Sequence, residues 1–250
     1  MGGSEFTRAG DTGVPHVQGV LDDPTDLPTR IEIVCTQMAD AAHAAGRLPE
    51  DVTLVAVSKT VGRLVVDEAF ALGLRRFGEN RVQDAQRKFA EPLPAGGQLH
   101  LIGQLQSNKV KPAVTLFDVI EAVDRPSLIE ALEKEAGRRG QPCPVLLQVN
   151  LAREPQKAGC DPDHASQLME RLVVSPWLQP QGLMTMAPLV VDPEDVRPVF
   201  AQLRTLLDAL QRRHPDVEFQ TLSMGMSNDF RVAIEEGATS VRIGRAIFGE

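Results

Sequence analysis

The spacing of apolar residues changes period repeatedly along the chain. Over 25–45, Ile31, Val34, Met38, Ala41 and Ala42 recur at helical spacing, and Gly46 is placed to stop a leading helix. From there, short β-branched runs alternate with amphipathic stretches. The runs predict eight strands at 52–58, 74–79, 99–103, 117–122, 145–150, 182–186, 219–224 and 240–244. The stretches between them predict helices at 65–72, 81–89, 108–116, 127–139, 164–174, 196–213 and 229–236.

Strands that alternate with helices imply parallel pairing through right-handed crossovers. Eight such units favour an α/β fold closed into a single (β/α)8 TIM-type barrel, with an extra N-terminal helix, because closure leaves no exposed edge strand. No Gly-x-Gly-x-x-Gly turn follows the first run, which weakens the open, doubly wound alternative. At 250 residues, one barrel domain is the default. Residues 1–23 mix Gly, Pro, Asp and Thr without apolar period and are predicted to be a mobile tail, leaving 24–250 for the barrel. Within that tail, Gly2-Gly3-Ser4-Glu5-Phe6 resembles a cloning scar and is set aside.

Charge and composition exclude several function classes. A net charge of -8, with no dense Lys/Arg stripe, argues against nucleic acid. No apolar stretch approaches the roughly 20 residues that cross a bilayer, and the start lacks a basic segment followed by an apolar one, so a cytoplasmic protein without membrane contact is expected. Cys35, Cys143 and Cys160 are far apart and form no Cys-x-x-Cys pair; they signal neither zinc nor disulfides and read as small packing residues.

In such a barrel the chemistry gathers just past the C-terminal ends of the strands. Those positions hold Lys59; Glu79, Asn80 and Arg81; Gln104, Gln106, Ser107 and Asn108; Asn150; Met184 and Thr185; Ser223; and Arg242. A lysine partly desolvated at an apolar mouth loses some preference for its charged form, and a neutral amine attacks aldehydes. From position alone, Lys59 is either such an amine or a structural partner of a carboxylate such as Glu79. Downstream, Ser223-Met224-Gly225-Met226-Ser227 joins a strand to a helix, and Gly244-Arg245-Ala246 forms a second turn, both suited to phosphate. Barrels often hold phosphate in the loops after strands seven and eight. A reactive amine and a phosphate cradle on one rim imply pyridoxal 5'-phosphate.

At this point the chain resembles the pyridoxal phosphate homeostasis proteins, which are related in fold to the barrel domain of alanine racemase. Matching segments run from Val55-Ala56-Val57-Ser58-Lys59-Thr60 through Phe77-Gly78-Glu79-Asn80-Arg81-Val82-Gln83, His100 to Lys109, Gly182-Leu183-Met184-Thr185-Met186 and Leu222 to Ser227 with Asp229, ending at Val241-Arg242-Ile243-Gly244. The resemblance implies that Lys59 carries the cofactor as a Schiff base. It further implies that Ser223, Ser227 and the backbone around Gly244 and Arg245 hold the phosphate, that Arg242 faces the pyridine nitrogen, and that Asn80 and Met184 line the ring. An arginine there keeps its proton, so the ring nitrogen stays unprotonated and carbanion chemistry is weakened.

Two function classes share this site. One is a binding protein that carries the cofactor, limits free aldehyde and delivers it to apo-enzymes. The other is an amino-acid racemase or related enzyme. The chain has no tyrosine and no residues for a capping domain, whereas alanine racemase uses a tyrosine from a second domain as one of two opposed bases, so the first class is favoured. The resemblance also implies a monomer. His100 reads as a core or N-terminal-face residue, and His16, His43, His164 and His214 lie in the tail or on helices, so none is a convincing base. Lys109, Lys111 and Lys157 read either as solvated surface lysines or as cofactor-exchange or partner contacts. Relatives continue past Gly249, so a short or missing last helix and a looser closure against the leading helix are expected.

Overall fold

Eight strands and nine helices follow one another among the described residues, 26–154 and 157–249, of a computed structural model of the chain. After α1 (Leu27–Ala44) come β1 (Thr53–Val57), α2 (Arg63–Ala71), β2 (Arg76–Glu79), α3 (Val82–Lys88), β3 (Gln98–Leu101) and α4 (Val110–Leu116). Then follow β4 (Val119–Val123), α5 (Pro126–Arg139), β5 (Cys143–Gln148), α6 (Pro162–Val174), β6 (Leu178–Met184), α7 (Arg197–Arg213), β7 (Thr221–Ser223), α8 (Phe230–Glu235), β8 (Ser240–Ile243) and α9 (Arg245–Phe248). All strands pair in parallel and in chain order, and β8 returns to β1, which closes the TIM-type barrel. The predicted tail at 1–23 lies outside the described residues.

The extra helix α1 starts at Asp26, whose carboxylate accepts the Thr29 N–H at 2.8 Å, and carries a proline in its first turn. Its buried stripe, including Ile31, Val34, Met38, Ala41 and Ala42, packs against α8 and α9. Arg47 then donates from Nη1 to the Ala238 carbonyl at 2.8 Å and to that of Ile234, tying the end of α1 to the segment before β8. The last helix is short, and its Ile247 and Phe248 are buried.

Alternation along each strand divides the residues into two sets. Ala56, Phe77, Leu101, Ile120, Leu147, Leu183, Leu222 and Ile243 belong to the large core between sheet and helices. A separate small apolar cluster of Ala122, Leu146 and Met184, with Met186 against it, lies on the other side, within the barrel. Register assigns the rest: Val55 pairs with Arg242 and with Arg76, and Val57 with Gly78, so these residues share the inner face. His100 pairs with Gly78 and with Val119, Met184 with Ser223, and Ser223 with Ser240. The inner face is unusually polar, with His100, Glu121, Gln148, Ser223 and Arg242 all buried.

Boundaries differ from expectation where packing overrides local pattern. β6 begins at Leu178, four residues before the predicted 182, with Pro180 beside a register shift between Val145 and Leu146. The helix expected at 108–116 opens as a 3-10 turn, Ser107–Lys109, before α4. Cys143 and Cys160 are buried as expected of packing residues, but Cys35 is exposed on α1. Among the described residues no helix is long and apolar enough to cross a membrane, and no cluster of three or more His, Cys, Asp or Glu could hold a metal.

Candidate functional site

Lys59 lies two residues beyond β1, in the turn at the C-terminal end of that strand, and is exposed. The expected desolvation is therefore not seen in this structure. The structural alternative for Lys59, a pair with Glu79, is not seen either: Glu79 pairs with another lysine. Lys88 on α3 donates from Nζ to Glu79 Oε1 at 2.8 Å and to the Ser58 carbonyl at 2.6 Å, and Ser58 Oγ donates to the same carboxylate oxygen at 2.7 Å. Among the described residues no carboxylate pairs with Lys59.

Asn80 ends the β2 segment on the same rim and is partly buried. Its backbone is pressed against Gly103, where a Cβ would come within 2.2 Å of the Asn80 carbonyl oxygen, so only glycine permits these two strand ends to approach. Met184, fully buried, ends β6 and packs with Ala122 and Leu146 beneath the mouth.

Arg242 is the electrostatic centre of the barrel interior and is 3% exposed. Its Nη1 donates to Ser223 Oγ at 2.5 Å and its Nη2 to the Thr185 carbonyl at 2.8 Å. Ser223 in turn donates to Glu121 Oε2 at 2.5 Å, and Glu121 Oε1 accepts from His100 Nδ1 at 2.7 Å. Burial raises the Glu121 pKa, but the His100 hydrogen bond and charge, Arg242 and Ser223 outweigh it and hold the carboxyl below its ordinary value. Burial pulls the Arg242 pKa down, opposed by Glu121 and Asp229. Burial also pushes Asp229 up, against the Met226 N–H bond and the Arg242 charge.

The two phosphate candidates are joined. In the loop after β7, Gly225 adopts φ +91°, and a Cβ there would meet the Ala233 Cβ at 2.6 Å and the Phe230 Cα at 2.9 Å. Asp229 closes this loop by accepting the Met226 N–H at 2.6 Å. One bond then connects it to β8, Arg242 N–H to the Gly225 carbonyl at 3.0 Å, and two connect it to the turn beyond, Ala246 N–H to Ser227 Oγ at 3.4 Å and Arg245 Nη2 to Asn228 Oδ1 at 3.3 Å. Gly244 sits against the end of β1, where a Cβ would lie 3.2 Å from the Val57 carbonyl oxygen.

The expected residues thus form two tiers. Lys59, Asn80, Ser227, Gly244 and Arg245 occupy the rim, while Met184, Ser223 and Arg242 lie below them. Both hydrogen-bonding roles of the Ser223 hydroxyl are used within the lower tier. Other candidates lie apart: Lys109 is partly buried in its 3-10 turn, Lys111 is exposed, and Lys157 pairs with Glu154 at 3.0 Å in a loop fastened by the Asn150 amide. Glu121, His100 and Lys88 were not expected here. The signal for Glu121 was present, since an acid inside the continuous apolar run 119–123 of a parallel strand must be buried and therefore partnered.

Comparison with known proteins decides the family. Residues 38–250 match the family model for the alanine racemase N-terminal domain. A pyridoxal phosphate homeostasis protein of Aquifex aeolicus is 41% identical over 221 residues, 88% of this chain and 96% of the relative. One from Pseudomonas aeruginosa is 42% identical over 223 residues, 89% of this chain and 95% of the relative. The chain belongs to the pyridoxal phosphate homeostasis protein family. A solved family structure, PipY of Synechococcus elongatus PCC7942 with pyridoxal phosphate bound, is 39% identical at a TM-score of 0.80 and covers 90% of this chain and 100% of that one. The closed barrel is therefore the family's fold, and the buried His100–Glu121–Ser223–Arg242 chain lies inside it.

Proposed function

We propose that this chain binds pyridoxal 5'-phosphate as a Schiff base on Lys59 and serves intracellular vitamin B6 homeostasis without ordinary enzymatic turnover. The observation that carries the reading is the division of labour between lysines: Lys88 holds Glu79, and the Lys59 amine is left at the mouth without a carboxylate. The residues fit the cofactor. A primary amine, a glycine-containing double turn and a buried guanidinium of fixed direction occupy one end of one barrel.

When bound, the cofactor supplies an aldehyde carbon that takes an amine and a ring that draws electrons. Ser227 and the backbone around Gly244 and Arg245 hold the phosphate, where the linked loops converge. Asn80 and Met184 border the ring. Arg242 keeps its proton and presents a donor to the pyridine nitrogen, which leaves that nitrogen without a proton and limits the electron sink. Ser223 orients Arg242 from below, because its hydroxyl already bonds both Arg242 and Glu121. Turnover as a racemase lacks support, since the chain has no tyrosine to act as a second base. The protein works in the cytoplasm as a monomer and passes cofactor to apo-enzymes.

An absorbance titration with pyridoxal phosphate, coupled to α-proton exchange assays over an amino-acid panel, tests this function. One saturating equivalent per chain with no turnover near about 1 per second is expected. A colourless protein, or exchange at ordinary enzyme rates, overturns it.

A further inference from the structure

The barrel has a second opening. At its N-terminal mouth, opposite the Lys59 rim, a polar cavity of about 590 Å³ is lined by the first residues of several strands, among them Thr53, Arg76, Gln98 and Thr221, and reaches His100 and Glu121. His100 is 8% exposed. Its Nδ1 is bonded to Glu121, and its Nε2 has no partner among the described residues. His100 thus commits one nitrogen to a buried carboxylate while its residue borders a polar cavity, an arrangement that core packing alone does not require. Hydrophobic side chains fill this layer in an ordinary barrel of this type.

We propose that His100 and Glu121 are positioning residues for the cofactor, fixing Ser223 and Arg242 beneath its ring and linking that ring's environment to the barrel's opposite mouth. This rests on the pyridoxal phosphate reading above. The chain of contacts is continuous: His100 from β3 bonds Glu121 of β4, which bonds Ser223 of β7, which accepts from Arg242 of β8. Four strands spaced around the barrel therefore converge on one guanidinium. A guanidinium with unfixed direction would rotate among several acceptors; here Glu121, through Ser223, and the Thr185 carbonyl define its plane. The charged groups around this chain are few. Glu121 faces His100 and Arg242; the cavity adds Arg47, Asp51, Arg76 and Asp118; and Asp229 acts on Arg242 from the loop after β7.

Glu121→Gln keeps the shape of the side chain and removes its negative charge, while His100→Phe removes the donor and His100→Asn retains a donor at the Nδ1 position. Each is compared with the unaltered protein by pyridoxal phosphate titration and by the pH at which the visible band of the loaded protein changes. Loss of a buried negative charge disfavours a protonated linkage at Lys59, so the midpoint moves to lower pH by about one unit in Glu121→Gln. Affinity falls about tenfold as Arg242 loses its orientation. His100→Phe lowers affinity by less, and because any positive charge on His100 is lost with it the midpoint does not follow that of Glu121→Gln downward; His100→Asn, which keeps the donor, restores affinity.

A structural role alone would lower the unfolding temperature without moving the midpoint. Midpoints and affinities unchanged in Glu121→Gln and His100→Phe overturn the proposal while leaving cofactor binding intact. Absence of any visible band in the unaltered protein defeats the binding reading itself. Should Glu121→Gln fail to fold, the His100 pair makes the same comparison with the Glu121–Ser223–Arg242 chain preserved.

Discussion

Lys88 reaches from α3 to Glu79 at 2.8 Å and to the Ser58 carbonyl beside Lys59, and the carboxylate it meets is buried, with Glu79 1% exposed. This contact separates two lysines that look alike in sequence. Removing one partner of a buried pair leaves an uncompensated charge, so Lys88→Ala is expected to cost about 3–5 kcal/mol of stability. Lys59→Ala, whose amine has no carboxylate partner, is expected to change stability by less than about 0.5 kcal/mol while abolishing covalent cofactor binding. Urea unfolding of both variants checks this; equal losses would mean that Lys59 also supports the fold.

Acid unfolding reads the buried carboxylates. Glu121 has its folded pKa depressed, so its contribution is fully present above the unfolded value of about 4.3 and is lost as pH falls through the folded value. Asp229 has its folded pKa raised, so it opposes folding at neutral pH and relaxes as pH falls. Glu121→Gln is therefore expected to be less stable than the unaltered protein at pH 7 by about 2–3 kcal/mol, with the gap narrowing in acid. Asp229→Asn is expected to slope the opposite way. Denaturant melts at pH 7 and in acid decide it, and parallel curves would contradict the assignment.

Loop geometry makes a steric prediction. Gly225→Ala places a methyl group 2.6 Å from the Ala233 Cβ at φ +91°, and Gly103→Ala places one 2.2 Å from the Asn80 carbonyl oxygen. Each is expected to cost about 2 kcal/mol or more. Gly62→Ala, with nothing within 4 Å, is the control and is expected to be close to neutral. Gly225→Ala also weakens phosphate binding, read as a lower affinity for pyridoxal phosphate.

The three cysteines differ in reactivity. Burial pushes the Cys143 thiol up to about 11 and the Cys160 thiol up to about 12, the latter helped by Asp124 and Asp161, whereas Cys35, though also raised by partial desolvation, is open to reagent. A thiol reagent at pH 8 is expected to titrate one group in the native protein and three after unfolding. Rapid native reaction of Cys160 would show that the loop after β5 opens.

The barrel was legible because each unit repeats the same two periods, and a run such as Leu54-Val55-Ala56-Val57 is a buried strand in almost any context. The end of the barrel was legible for a related reason: strand ends locate Lys59 and Asn80 on the rim, and Met184 and Arg242 below it, once eight strands are counted. Contacts made only by closure were not. Glu121 meets Ser223 across 102 positions, and neither residue carries a local sign of the other. His100 was read as a core histidine, which its burial supports, but its bond to Glu121 depends on the register between β3 and β4. Lys88 carries no local sign of its partner either, because its bond to Glu79 is made only when α3 folds back on β2.

Borohydride trapping of the pyridoxal phosphate complex followed by peptide mapping tests the central claim most directly. One reduced, cofactor-bearing peptide containing Lys59, absent from Lys59→Ala, is the expected result. Trapping at Lys88, Lys109 or Lys157 with Lys59 unmodified would contradict it.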